Sequence, residues 1–267
     1  MADDVTYHTP AKTAPAAGAA DELVHLAVDE AVATITLDSP HNRNALSRQL
    51  VTELADRLDR AAADDAVRVV VVTSADRVFC SGADLSEAST DGMEAGTRAI
   101  VALQRSIVAM GKPVVAVVRG PVRAGGTGIV AACDVVVAAE EASFALTEVK
   151  LGLAPAVISL TVLPRLTSRA AAWACLGGAT FRGAEAVEMG LVTRAVPADR
   201  LDEVAREVCA ELATGAPQGL RETKALLSRD LLDRIDARAD EVAALSARLF
   251  ASDEARQAMT AFLSRGR

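Results

Sequence analysis

Pro113-Val-Val-Ala-Val-Val-Arg-Gly-Pro-Val-Arg-Ala-Gly-Gly-Thr-Gly-Ile-Val-Ala-Ala-Cys-Asp-Val-Val-Val-Ala138 reads as strand, glycine-rich turn, helix and strand in one unbroken run. Val114 to Val118 and Asp134 to Ala138 are short and almost wholly apolar, the pattern of strands covered on both faces. Gly120 to Gly128 supplies the turn that leads into the helix between them, and a strand–helix–strand order argues for a layered α/β core. Upstream, Leu23 to Val28 and Val32 to Leu37 are β-prone runs broken by Asp29 and Glu30, which predicts a hairpin ended by Ser39-Pro40. Ser47 can cap a helix carrying Leu50, Leu54 and Leu58 on one face. Val67 to Thr73 reads as a buried strand and Ala95 to Met110 as a helix.

After Pro155 the pattern turns helical, over Val157 to Arg165, Ser168 to Leu176 and Ala184 to Met189, with a small strand from Leu191 to Val196. Asp199 is placed to cap a helix running to Ala213, and Pro217 can open helical sequence reaching Leu263. This divides the chain into a leader over 1–20, rich in Ala, Pro and Thr and expected to be flexible, a core over 21–198 and a helical part over 199–267.

The 267 residues suffice for one sizeable core, and with few aromatics that core must be built from Ala, Val and Leu. A net charge of −8 argues against a nucleic-acid or anionic-membrane surface. Cys80, Cys133, Cys175 and Cys209 stand far apart without metal-ligand spacing, as expected of reduced thiols in a cytoplasm. No apolar run has membrane-spanning length, and the first residues lack the pattern of a secretory signal. His8, His25 and His41 have no Ser or Cys partner in sight, which disfavours a nucleophilic triad.

Two glycine-bearing turns follow buried strands: Ser81-Gly82-Ala83-Asp84 and Ala124-Gly125-Gly126-Thr127-Gly128. Each can present free amides, although one such turn alone is more often simply a tight turn. Neither has the spacing of a phosphate-binding loop. Asp84, beside a turn glycine, is suited to bonding local amides. Glu148 lies in the apolar setting Phe144-Ala-Leu-Thr-Glu-Val, where desolvation would raise its pKa; the plain alternative is a surface glutamate beside Lys150.

Arg43-Asn-Ala-Leu46, Phe79-Cys-Ser-Gly-Ala-Asp-Leu85, Lys112-Pro-Val114 with Gly120 and Gly125-Gly126, Cys133-Asp134, and Phe144 through Glu148 to Gly152 and Pro155 together resemble, in order, the enoyl-CoA hydratase/isomerase (crotonase) family. The resemblance spans about Leu23 to Gly266. It implies a crotonase-like α/β fold of repeated ββα units with a helical C-terminal trimerisation region. It also implies an acyl-CoA thioester as substrate, no separate cofactor, and a homotrimer or dimer of trimers. By position, the amides of Ala83 and Gly125 correspond to the family's oxyanion donors and Glu148 to its acid/base. Arg43, Ala45, Leu46, Gly82, Asp84, Leu85, Gly126, Thr127 and Gly128 fall along the substrate strip, with Arg43 readable equally as a solvated loop residue. Ser86 and Glu87 stand where the family often has a lysine for the CoA phosphates.

Two-carboxylate hydratases of this family carry a second glutamate where this chain has Gly128. The run Thr147 to Ser159, taken with Gly128, is similar to single-glutamate, methylglutaconyl-CoA hydratase-like members. The expectation is therefore hydration of a 2-enoyl-CoA in fatty acid or branched-chain catabolism. The alternatives are a 3-ene to 2-ene isomerase working with one glutamate and a non-catalytic acyl-CoA-binding homologue.

Overall fold

A computed structural model describes residues 22–84, 87 and 93–265. The leader expected over 1–20, and Leu85 of the expected substrate strip, lie outside the described residues. The chain opens with strands β1 (Val24–Asp29) and β2 (Val32–Leu37), paired as the antiparallel hairpin that Asp29 and Glu30 foretell. Helix α1 (Arg48–Ala63) follows, with the Ser47 hydroxyl accepting from the Leu50 amide at 3.2 Å and Leu50, Leu54 and Leu58 buried along one face. A cap of this kind contributes about 1 kcal/mol.

Strand β3 (Val69–Ser74) is buried along its whole length. Beyond α2 (Met93–Ala109) comes β4 (Val114–Val118), equally buried, then the two-residue β5 (Val122–Arg123), α3 (Gly125–Ala132) and β6 (Val135–Ala139). Next are β7 (Ser143–Ala145), α4 (Ser159–Arg165), α5 (Ser168–Gly177), β8 (Phe181–Arg182), α6 (Gly183–Met189) and β9 (Arg194–Val196). The chain ends with α7 (Leu201–Ala213), α8 (Pro217–Phe250) and α9 (Asp253–Arg265).

The main sheet has the order β1-β2-β3-β4-β6-β9, parallel from β2 onward, and a smaller sheet has the order β5-β7-β8. The fully buried central strands explain the unbroken Val runs, because parallel strands with helices on both faces have no polar side.

Three expectations are corrected. The glycines Gly125 to Gly128 open helix α3 instead of forming a turn before it. Asp199 lies in a short 3-10 turn over Ala198–Arg200, and its side chain makes no cap bond to α7. The small sheet is additional to the strands read from sequence, since two- and three-residue strands are too short to show a period.

The helical C-terminal part is fastened to the sheet from inside. Lys224 of α8 is buried, and its Nζ donates to the carbonyls of Ile107 and Lys112 at 3.0 Å each and pairs with Asp134 Oδ2 at 2.7 Å. The same Asp134 oxygen accepts from the Val114 amide at 2.7 Å, so one carboxylate holds the entries of β4 and β6 together.

Candidate active site

The small sheet brings together three segments distant in sequence. Arg123 N–H donates to the Cys80 carbonyl at 2.9 Å, and Cys80 bridges in parallel to Val122. Carrying that register forward sets Gly82 beside Ala124 and Ala83 beside Gly125. The packing agrees: a Cβ added to Gly82 would lie 3.0 Å from the Ala124 Cβ. On the other side, Ala124 N–H donates to the Ala145 carbonyl at 3.1 Å, which brings Glu148, three residues further on, to the same end of the sheet.

The backbone is unusual at both turns. Gly82 has φ +97, open to glycine but strained for other residues, and Ala124 holds φ 43, ψ −116 despite its Cβ. Neither the Ala83 nor the Gly125 amide donates to a protein acceptor among the described residues. For Gly125 this follows from its place in the first turn of α3, where helical N–H groups have no intrahelical partner. Leu46 lies between the two turns: its N–H donates to the Gly82 carbonyl at 2.8 Å, it bridges to Ala83, and its Cδ1 would stand 2.6 Å from a Cβ on Gly125. Gly126 is bare for a separate reason, because a Cβ there would sit 2.6 Å from the Cβ of Cys80.

Glu148 begins a 3-10 turn over Glu148–Leu151. Lys150 does not neutralise it, since the Lys150 ammonium donates instead to the Gly178 carbonyl at 2.5 Å. Oε2 of Glu148 is closed off from solvent and has no hydrogen-bond partner among the described residues. Desolvation, with no cation among the described residues set against it, pushes the Glu148 pKa from an ordinary 4.5 up to about 7. Cys175 of α5 is close enough to feel that charge, which adds to burial in raising its thiol pKa.

The remaining strip residues divide into frame and surface. Asn44 is buried, accepting from Ser39 N–H at 2.7 Å and donating to the Val78 carbonyl at 2.8 Å, and this fixes the loop that carries exposed Arg43 and buried Ala45 and Leu46. Arg43 itself takes a left-handed conformation, φ 58, and its carbonyl accepts from Ser81 N–H at 3.1 Å. Asp84 accepts from the side-chain amide of Asn42 at 3.2 Å, a bond to a residue distant in sequence on the Arg43 loop. Glu87 accepts from the Arg48 amide at 2.9 Å, at the start of α1. Thr127 is buried, and its hydroxyl has no partner among the described residues.

Gly128 has no space for a side chain. A Cβ there would lie 2.7 Å from Ile158 Cγ2 and 3.0 Å from Gln104 Oε1. Gln104 is fully buried on α2 and accepts from the Thr161 hydroxyl at 2.7 Å, and that hydroxyl also reaches the Gly128 carbonyl at 3.0 Å. Sequence reading misses Gln104 of α2 and Ile158 and Thr161 at the start of α4, because no periodicity or spacing relates them to each other or to Gly128 of α3.

Two neighbouring amides without an acceptor among the described residues, at the same end of the small sheet as a half-buried carboxylate, are groups suited to polarising a carbonyl oxygen and moving a proton nearby. The profile of the enoyl-CoA hydratase/isomerase family matches residues 27–267. The 2,3-dehydroadipyl-CoA hydratase of Escherichia coli is 31% identical over 236 residues, covering 88% of this chain and 92% of its own. The (E)-benzylidenesuccinyl-CoA hydratase of Thauera aromatica is 32% identical over 214 residues, covering 78% and 84%. The crystal structure of an enoyl-CoA hydratase from Mycobacterium avium superposes with a TM-score of 0.86 at 47% identity, covering 92% of this chain and 98% of that one. The chain belongs to the enoyl-CoA hydratase/isomerase family and has the crotonase fold.

Proposed function

We propose that this protein hydrates a 2-enoyl-CoA thioester in acyl-CoA catabolism. The observation that carries the proposal is Glu148, a half-buried glutamate whose Oε2 is closed off from solvent and whose pKa desolvation pushes up to about 7, three residues beyond the strand that pairs beside Ala124 and Gly125. The thioester oxygen accepts from the Ala83 and Gly125 amides, which draws electrons from the double bond and leaves C3 electrophilic. Glu148, as the carboxylate, takes a proton from water as its oxygen bonds to C3, and the electron pair of the double bond moves onto the thioester oxygen. The enolate then collapses as protonated Glu148 returns the proton to C2, leaving the 3-hydroxyacyl thioester. One fixed amide donor is worth about 3–4 kcal/mol to such an oxyanion, and a well-placed acid/base about 10²–10⁴ in rate.

The packing over Gly128 favours a second reading, isomerisation of a 3-enoyl to a 2-enoyl thioester, because that shift needs only one group to carry a proton from C2 to C4. Absorbance of the conjugated thioester separates the two. Loss of the signal from 2-enoyl-CoAs supports hydration, its growth from 3-enoyl-CoAs supports isomerisation, and tight binding with neither change supports a non-catalytic acyl-CoA-binding protein. We also propose a homotrimer or dimer of trimers. Trp173 on α5 and Leu227 on α8, 67% and 81% exposed, support burial against further copies, and sedimentation would measure it.

A further inference from the structure

We propose that Ile158 is a specificity-determining residue, the wall that limits acyl bulk at C3 by filling the space where a side chain at position 128 would stand. The inference rests on the binding half of the reading above, a thioester oxygen at Ala83 and Gly125, and not on which reaction follows.

Gly125 and Gly128 are three residues apart on α3 and so share a face, one above the other. An oxygen held at the Gly125 amide sets C3, two bonds beyond the carbonyl carbon, within about one helical turn of Gly128. What closes the Gly128 side is therefore what the C3 substituents meet. Ile158 closes it: its Cγ2 and Cβ would stand 2.7 and 3.1 Å from a Cβ on Gly128, and Ile158 is 3% exposed.

The wall is also held in place. The Ile158 carbonyl accepts from Thr161 N–H at 3.2 Å and Val162 N–H at 2.8 Å at the start of α4. The Thr161 hydroxyl joins the Gly128 carbonyl and Gln104 Oε1. One Thr161 O–H, shared between these acceptors on α2 and α3, holds the start of α4 in place, and Ile158 itself is packed in with 3% exposure. Gln104, fully buried, stands against the same position, with its Oε1 3.0 Å from where the Cβ would lie.

The test measures binding by calorimetry of two saturated thioesters, butyryl-CoA and 3,3-dimethylbutyryl-CoA, to the wild type, Ile158→Ala and Ile158→Val. The wild type should prefer the butyryl thioester. Ile158→Ala should move the ratio of the two Kd values by about tenfold toward the dimethyl compound, the scale set by one or two methyl groups in an apolar pocket. Ile158→Val should fall between, and it serves if the alanine variant does not fold. A ratio unchanged within about twofold in a folded variant overturns the proposal, as does failure of the wild type to bind either thioester. Hydration is tested separately: if the wild type leaves 2-enoyl-CoA absorbance unchanged while the Kd ratio still follows residue 158, the reaction assignment fails and the wall stands.

Discussion

Glu148→Gln should make the protein less active and, at alkaline pH, more stable. The folded chain keeps the Glu148 carboxyl protonated up to about 7, against an ordinary 4.5. Between those values the native state holds a proton that the unfolded chain releases, so stability falls as pH rises through the window. The full gap corresponds to about 3 kcal/mol at pH 8, with less than about 1 kcal/mol of it already lost at pH 5. Glutamine keeps the shape without the charge. Its gain over the wild type in urea or guanidinium melts should therefore grow by about 2 kcal/mol from pH 5 to pH 8, equivalent to roughly 4–8 °C in Tm for a chain of this size. Turnover should fall about 10²–10⁴-fold, with acyl-CoA affinity little changed. The wild-type kcat/KM should rise with pH to a plateau above about 7, since the carboxylate is the form that accepts the proton. A stability difference that ignores pH, or one that turns against glutamine as pH rises, would refute the reasoning about burial.

Gly125→Ala drives a Cβ to 2.6 Å from Leu46 Cδ1, and displacement of the amide should lower kcat about 10²–10³-fold; pairing it with Leu46→Ala should recover part of that in steady-state assays. Gly128→Ala should cost about 1–3 kcal/mol by overpacking against Ile158, measured by chemical denaturation, and Ile158→Ala in the same chain should reduce that cost. Lys224→Met should cost about 1–3 kcal/mol, because the carbonyls of Ile107 and Lys112 would lose their donor while the partly exposed Asp134 keeps the Val114 amide and water; a loss under about 0.5 kcal/mol in a thermal melt would contradict this.

The long regular elements are legible in the sequence because their signals are local. Val114 to Val118 is read to the residue, and the Ser47 cap with its Leu50, Leu54 and Leu58 stripe needs only one helix to be seen. The glycines of α3 mislead because their own propensity favours a turn. What makes them helical is close packing, with Leu46 against Gly125, Cys80 against Gly126 and Ile158 against Gly128, and none of it is local. The same holds for the site. The apolar run around Glu148 announces a raised pKa, and burial delivers it. The wall over Gly128 joins residues from α2, α3 and the approach to α4, so a sequence reading finds the missing carboxylate but not what took its place.

The ion pair between Lys224 and Asp134 has a consequence for how the chain comes apart. Were α8 to peel away alone, the carbonyls of Ile107 and Lys112 would lose their ammonium donor, and Lys224 would give up the partly exposed Asp134 carboxylate at the heads of β4 and β6. Partial opening at this seam is thereby penalised on both sides at once. The last helices and the sheet are bound into one cooperative unit, and amide exchange in the middle of α8 should report on global unfolding rather than on local fraying.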